Sequence, residues 1–145
     1  MKVLVVDDNR ELAEVIQMVL RRAGVETLAA YDGIGGYAGY LRFKPDLVIT
    51  DIQMPGGTGL EMMRHIRTHD PLVKTVYMSG SIDAYRQPLE QEKKRYPVTI
   101  FRKPFPLASL MALISEPAPR SPVADADLAY RESLPQPGVG LAPSQ

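Results

Sequence analysis

Five short apolar runs recur along the first 115 residues, and they constrain the fold more than any other feature of the chain. They occupy residues 3–6, 27–30, 47–50, 76–78 and 98–101. Each is rich in β-branched residues and largely apolar throughout, rather than alternating. That is the pattern of strands covered on both faces. Longer amphipathic stretches lie between them. Leu12, Val15, Ile16, Val19 and Leu20 fall at i, i+3, i+4, i+7 and i+8, the spacing of one apolar helix stripe. Asp8 with Glu11 reads as a capping box for that helix, and Gly24 stands where a left-handed C-cap belongs. Leu60, Met63 and Ile66 mark a later helix, and Leu107, Leu110, Met111 and Ile114 the last one. Strands alternating with helices predict an α/β fold, a doubly wound parallel sheet of five strands with helices on both faces.

The pattern stops near Ser115. Residues 116–145 hold six of the 13 prolines and no Ile, Phe, Met or Trp. Such a segment buries too little apolar surface to offset its ordering entropy. The expected organisation is a domain over 1–115 and a Pro-rich flexible tail or linker over 116–145, with a short helix compatible with residues 125–133.

Composition removes several function classes. The chain has no cysteine, so thiol nucleophiles, thiolate metal sites and disulfides are absent together. Its 17 basic and 17 acidic residues cancel, leaving no broad positive field for nucleic acid. No apolar stretch approaches the roughly 18 residues of a membrane span, and the N-terminus does not read as a signal peptide. A soluble cytoplasmic location is expected, with no direct nucleic-acid or membrane partner.

In doubly wound sheets, ligand sites lie beyond the carboxyl ends of the strands. The first run ends in Asp7 and Asp8, the third in Asp51 and the fourth in Ser79 and Gly80; Lys103 and Pro104 follow the fifth. If the first and third strands are neighbours, three carboxylates converge. Their repulsion calls for a counter-charge. Hard oxygen ligands of this kind suit Mg²⁺ or Mn²⁺. A lysine and a hydroxyl on the opposite rim suit a phosphate-sized anion. Together these are the parts for phosphoryl transfer onto an aspartate.

Those same motifs, in that order, carry a resemblance. Val5-Val6-Asp7-Asp8-Asn9, Asp46 through Asp51 with Met54-Pro55 and Gly59, Ser79-Gly80 and Lys103-Pro104-Phe105 make residues 1 to about 115 similar to the receiver domain of bacterial two-component response regulators, in the stand-alone, chemotaxis-regulator-like form. The resemblance implies a flavodoxin-like sheet of strand order 2-1-3-4-5. It implies Asp51 as phosphoacceptor, with Asp8, Asp51 and the Gln53 carbonyl binding Mg²⁺ and Asp7 assisting through water. Ser79 and Lys103 would contact the phosphoryl group, Gln53 and Ser81 would tune its lifetime, and Lys103-Pro104 would be a cis step. The partners implied are a sensor histidine kinase or phosphotransfer protein as donor and a downstream protein as target. The only catalysis implied is of the chain's own aspartyl phosphorylation and dephosphorylation.

Three positions depart from that family's pattern. The aromatic residue usual three positions before the lysine is Ile100 here, with Phe101 next to it. A one-residue offset in a strand points a side chain to the opposite face, so the usual aromatic switch is expected to be absent or rebuilt. Pro88 interrupts the helix expected between Ser81 and Tyr96, which should split or begin anew there. Gly33, Gly35, Gly36 and Gly39 crowd the second helix, which is expected to be loose because an interior glycine costs about 1 kcal/mol.

The leading expectation is a phosphoaspartate switch, and the alternative is a switch-deficient receiver acting as a constitutive docking module. A Mg²⁺-dependent phosphatase with an aspartyl intermediate wants a carboxylate two residues after the nucleophile, where this chain has Gln53. An FMN-binding role is opposed by acids in the first loop. His65 and His69 are read as exposed, Met18, Met62, Met63, Met78 and Met111 as core filler, and Lys93-Lys94-Arg95 as a solvated helix face.

Overall fold

A computed structural model describes residues 1–115; the expected tail and its short helix lie outside the described residues. In chain order the elements are β1 (Lys2–Val6), α1 (Arg10–Arg22), β2 (Glu26–Ala30), α2 (Gly33–Phe43), β3 (Leu47–Asp51), β4 (Gln53–Met54), β5 (Gly57–Thr58), α3 (Gly59–Ile66), β6 (Lys74–Ser79), a 3₁₀ turn (Ile82–Tyr85), α4 (Arg86–Arg95), β7 (Val98–Arg102) and α5 (Leu107–Ser115). The main sheet is parallel, with order β2-β1-β3-β6-β7. The two-residue strands β4 and β5 pair only with each other. Counting the sheet strands alone gives the expected order 2-1-3-4-5.

Alternate residues of each strand feed two cores. Leu4, Val6, Val48, Tyr77 and Val98 pack with α2, α3 and α4 through Tyr40, Met62, Met63, Ile66 and Leu89. Val3, Val5, Ile49, Val76 and Met78 pack with α1 and α5 through Ala13, Ile16, Leu20 and Leu110. This two-sided burial is what the continuous apolar runs require. It also separates Ile100 from Phe101. Ile100 joins the first core. Phe101 joins the second, its ring 5.0 Å from that of Phe105.

The helix ends show where the local reading holds and where it fails. Gly24 has φ +84° and donates to the Arg21 carbonyl, while Val25 donates to that of Leu20. This pair of bonds is the left-handed helix stop expected from the sequence. The capping box at Asp8 is not formed. Asn9 caps α1 instead, its side chain accepting the Leu12 amide at 3.2 Å. The reason lies one residue earlier: the Asp7 carboxylate accepts the Asn9 amide at 2.9 Å, a side-chain turn that shifts the helix start and leaves Asp8 exposed. A capping box does exist at α3, between Thr58 and Glu61.

The buried stripe of α1 is Ala13, Ile16, Gln17 and Leu20; Val15 stays 37% exposed and Met18 46%. Met18 is therefore not core filler. Met62, Met63 and Met78 are buried, and Met111 packs at the edge of the second core.

The chain does begin a new helix at Arg86, with Pro88 in its first turn, where a missing amide hydrogen breaks no helical bond. In α2, two of the four glycines have a packing role. A Cβ on Gly36 would run into Met62 and approach Val6 Cγ2 to 3.1 Å, and one on Gly39 would lie 3.2 Å from Leu28. Their absence lets the helix backbone sit directly on β1 and β2.

Candidate functional site

Three strands deliver the acids and the hydroxyl to one end of the sheet. Asp7 follows β1 and is fully buried. Its amide donates to the Ala30 carbonyl at 3.1 Å. Asp51 ends β3 and is 7% exposed. Ser79 ends β6, also buried, and its hydroxyl accepts the Ser81 amide at 2.9 Å. Lys103 follows β7 at a cis bond to Pro104, as expected. Its backbone amide donates to the Ser79 carbonyl at 2.8 Å, which fixes where its side chain starts.

The charges meet above β3. Lys103 Nζ donates to Asp7 Oδ2 at 2.8 Å and lies 3.5 Å from Asp51 Oδ1. Asp7, Asp8 and Asp51 each offer a carboxylate oxygen within 4.8 Å of the others. Burial raises the Asp51 carboxyl to about 6; the Asp7 charge adds to the rise, Lys103 opposes it and Asp8 contributes least. One ammonium thus faces three carboxylates. The remaining negative charge, carried on hard oxygens with an exposed Asp8 at the rim, fits a small divalent cation that keeps part of its water shell.

The loop after β3 is held tightly. The Thr50 hydroxyl donates to the Asp51 carbonyl at 2.8 Å, and the Gly59 amide donates to the Ile52 carbonyl at 2.8 Å. A Cβ on Gly59 would strike the Asp51 carbonyl oxygen, so only glycine permits this approach. Gln53 begins the β4–β5 ladder, paired with Thr58, and its side chain is exposed. Ser81 is exposed and precedes the 3₁₀ turn.

Asp7, Asp8, Asp51 and Lys103 are therefore brought together, while Ser79, Ser81 and Gln53 stand at the adjoining strand and loop ends. Ile100 and Phe101 do not reach the pocket's acids by any hydrogen bond and belong to opposite cores. His65 and His69 are exposed as expected, yet not idle: Tyr37 Oη is 2.7 Å from His69 Nε2.

A buried polar group near α4 escaped sequence reasoning altogether. Arg67 is 7% exposed, pairs with Glu92 and lies 3.1 Å from the Thr75 hydroxyl. The Tyr77 hydroxyl donates to Glu92 at 2.7 Å. An arginine just after a helix carries no pattern that distinguishes it from a solvated one.

Comparison with known proteins agrees with this geometry. The family model described as response regulator receiver domain matches residues 3–115. The DNA-binding response regulator MtrA of Mycobacterium leprae is 31% identical over 137 residues, which cover 88% of this chain and 59% of that protein. The chain thus spans about three fifths of the MtrA relatives it matches. Sporulation initiation phosphotransferase F of Bacillus subtilis is 25% identical over 120 residues, covering 81% of this chain and 94% of that one. Among solved structures, TrrA of Thermotoga maritima in complex with Mg(2+)-BeF is 28% identical with a TM-score of 0.68, over 79% of this chain and 96% of that one. The match to the family model over most of the chain, with the acids and the lysine in one pocket, leads to one conclusion: this protein belongs to the response regulator receiver domain family.

Proposed function

We propose that the chain is a phosphoaspartate switch, accepting a phosphoryl group on Asp51 from a phosphohistidine of a sensor kinase or phosphotransfer protein. The observation that carries this reading is the convergence of Asp51 with Asp7, Asp8 and Lys103 around one centre. An Asp51 oxygen attacks phosphorus in line as the bond from phosphorus to the donor imidazole breaks, and the imidazole leaves with the electron pair. Lys103 offsets charge on the transferred oxygens, and the Ser79 hydroxyl donates to one of them while its oxygen accepts the Ser81 amide. Asp8, Asp51 and the Gln53 carbonyl would hold Mg²⁺, with Asp7 assisting through water; when bound, the cation would supply further neutralisation of the phosphoryl oxygens. The TrrA complex with Mg(2+)-BeF supports that choice of ion.

The catalysis is confined to the chain's own Asp51. Gln53 stands where an external-substrate phosphatase needs a second carboxylate, so turnover of free phosphate esters is negligible in this reading. Output runs through protein contacts in the cytoplasm, since a formal net charge of zero gives little purchase on a phosphate backbone. Gln53 and Ser81 flank the pocket and set the lifetime of the acyl phosphate. The domain is residues 1–115.

Incubation with acetyl phosphate and Mg²⁺, followed by intact mass measurement, tests this. Wild type gains one phosphoryl group and Asp51→Asn gains none. No adduct on wild type would move the reading to a constitutive docking module, which Ile100 in place of an aromatic residue favours.

A further inference from the structure

The attachment of α4 to the sheet is unusual in what it lacks. Leu89 is the only residue of the helix that is buried. The rest of its exposed surface is Arg, Gln, Pro, Glu and Lys, so within the helix itself apolar burial is confined to Leu89, with Tyr85 and Tyr96 packed against the core at its two ends. Its middle is held by polar contacts as well. Glu92 accepts from the Tyr77 hydroxyl at 2.7 Å and pairs with Arg67, whose side chain is only 4% exposed. The Arg67 guanidinium lies 4.0 Å from the centre of the Tyr96 ring, just past the helix end, and a second nitrogen reaches the Thr75 hydroxyl. The end of α3, strand β6 and both the middle and the end of α4 are therefore tied at one point.

The same strand connects that point to the pocket. Tyr77 and Ser79 are two residues apart on β6 and so share a face. The Ser79 hydroxyl holds the Ser81 amide, and Ser81 opens the turn that leads into α4. Ile100 pairs in register with Tyr77 on the neighbouring strand and makes no polar contact with the clamp.

We infer that Arg67, Glu92 and Tyr77 form a buried polar clamp that sets the position of α4 and opposes its displacement when the pocket takes up a phosphoryl-like ligand. These are positioning residues, not catalytic ones. The clamp itself stands on geometry; its coupling to the pocket rests on the phosphoacceptor reading. The Ser79 hydroxyl keeps its own proton to donate while its oxygen accepts the Ser81 amide, so a ligand that draws Ser79 toward it pulls on Ser81 and loosens the turn before α4. The clamp resists that loosening and so lowers the population of the ligand-competent state.

Two measurements on the full chain test this, with Glu92→Gln and Tyr77→Phe as variants that keep side-chain shape. In hydrogen exchange without ligand, both variants speed exchange in residues 86–95 by about tenfold, the change expected from losing a charge-assisted hydrogen bond, and leave residues 10–22 unchanged. In titrations with beryllofluoride and Mg²⁺, both variants reach half-saturation at a concentration about threefold lower than wild type. Unchanged exchange in α4, or equal acceleration of α1 and α4 in both variants, overturns the clamp. Faster α4 exchange with unchanged or weaker beryllofluoride binding overturns its coupling to the pocket. Failure of wild type to bind beryllofluoride at all sinks the phosphoacceptor reading and the coupling with it, while the exchange data still decide the clamp.

Discussion

Lys103 and Asp7, separated by 96 positions in the chain, form a 2.8 Å ion pair in which the carboxylate is wholly buried. The lysine sits nearer to Asp7 than to Asp51, at 2.8 Å against 3.5 Å. Without a phosphoryl group its first task is to neutralise the most buried acid of the pocket.

Lys103→Met therefore destabilises the fold by about 2–3 kcal/mol, because Asp7 loses a charged hydrogen bond while remaining close to two other acids. Urea unfolding at pH 7 measures this. Added Mg²⁺ recovers part of the loss, since a cation among the carboxylates replaces the missing ammonium. A variant as stable as wild type in the absence of Mg²⁺ contradicts the assignment.

Asp51 makes the fold less stable as pH rises. Its carboxyl titrates near 6 in the folded chain, above the ordinary carboxylate value near 4, so the folded state holds this proton more tightly than the unfolded state does. The favourable contribution is present below pH 4 and is lost as pH climbs to about 6. Asp51→Asn removes that dependence. It stabilises the protein at pH 7.5 by about 1–2 kcal/mol, given about 1.4 kcal/mol per pKa unit and partial screening at the open rim. Thermal melts of both proteins from pH 4 to 8 provide the check, with curves that converge at the acid end.

The same proton competes with metal. Mg²⁺ raises the melting temperature of wild type at pH 7.5 and loses that effect as pH falls through 6, where Asp51 takes up its proton. Asp8→Asn leaves the metal-free melt within about 0.5 kcal/mol of wild type, because Asp8 is exposed, yet abolishes the Mg²⁺ shift. A full Mg²⁺ shift in Asp8→Asn would remove Asp8 from the ligand set.

Gly36→Ala sets helix propensity against packing. Alanine favours the helix by about 1 kcal/mol, but its methyl group meets Met62 and Val6. Packing wins, and the variant is destabilised by about 1–3 kcal/mol. Gly33→Ala, whose added methyl would meet nothing nearer than Met62 Cβ at 3.9 Å, is the control and changes stability far less. Denaturant unfolding of the two variants gives the comparison.

The sheet and the pocket were legible because each rests on chemistry that survives in one dimension. Continuous apolar runs at 3–6 and 47–50 call for two-sided burial, and carboxylates at the ends of such runs have few other reasons to be there. The start of α1 was misread because Asp7 turned inward to hold the Asn9 amide, a choice made by the pocket rather than by local propensity. Val15 and Val19 shared a stripe with Ile16 on paper; in the fold the stripe is rotated toward Ala13 and Gln17, set by where β2 and α5 leave room. The glycines of α2 read as weakness because propensity counts only the helix, whereas Gly36 and Gly39 are explained by side chains on β1, β2 and α3. Arg67, Tyr77 and Glu92 were invisible for the same reason: 25 residues separate the arginine from its carboxylate, and nothing nearby in sequence marks either as buried.

Asp51 hangs from the middle strand of the five, with a neighbour bonded along each side, whereas α4 grips the sheet through Leu89 and a handful of polar contacts. The acidic pocket and α4 therefore sit on parts of very different firmness. Substitutions on the exposed face of α4 therefore disturb the fold far less than substitutions at the Asp51 end of the sheet, where every neighbouring backbone is already spoken for.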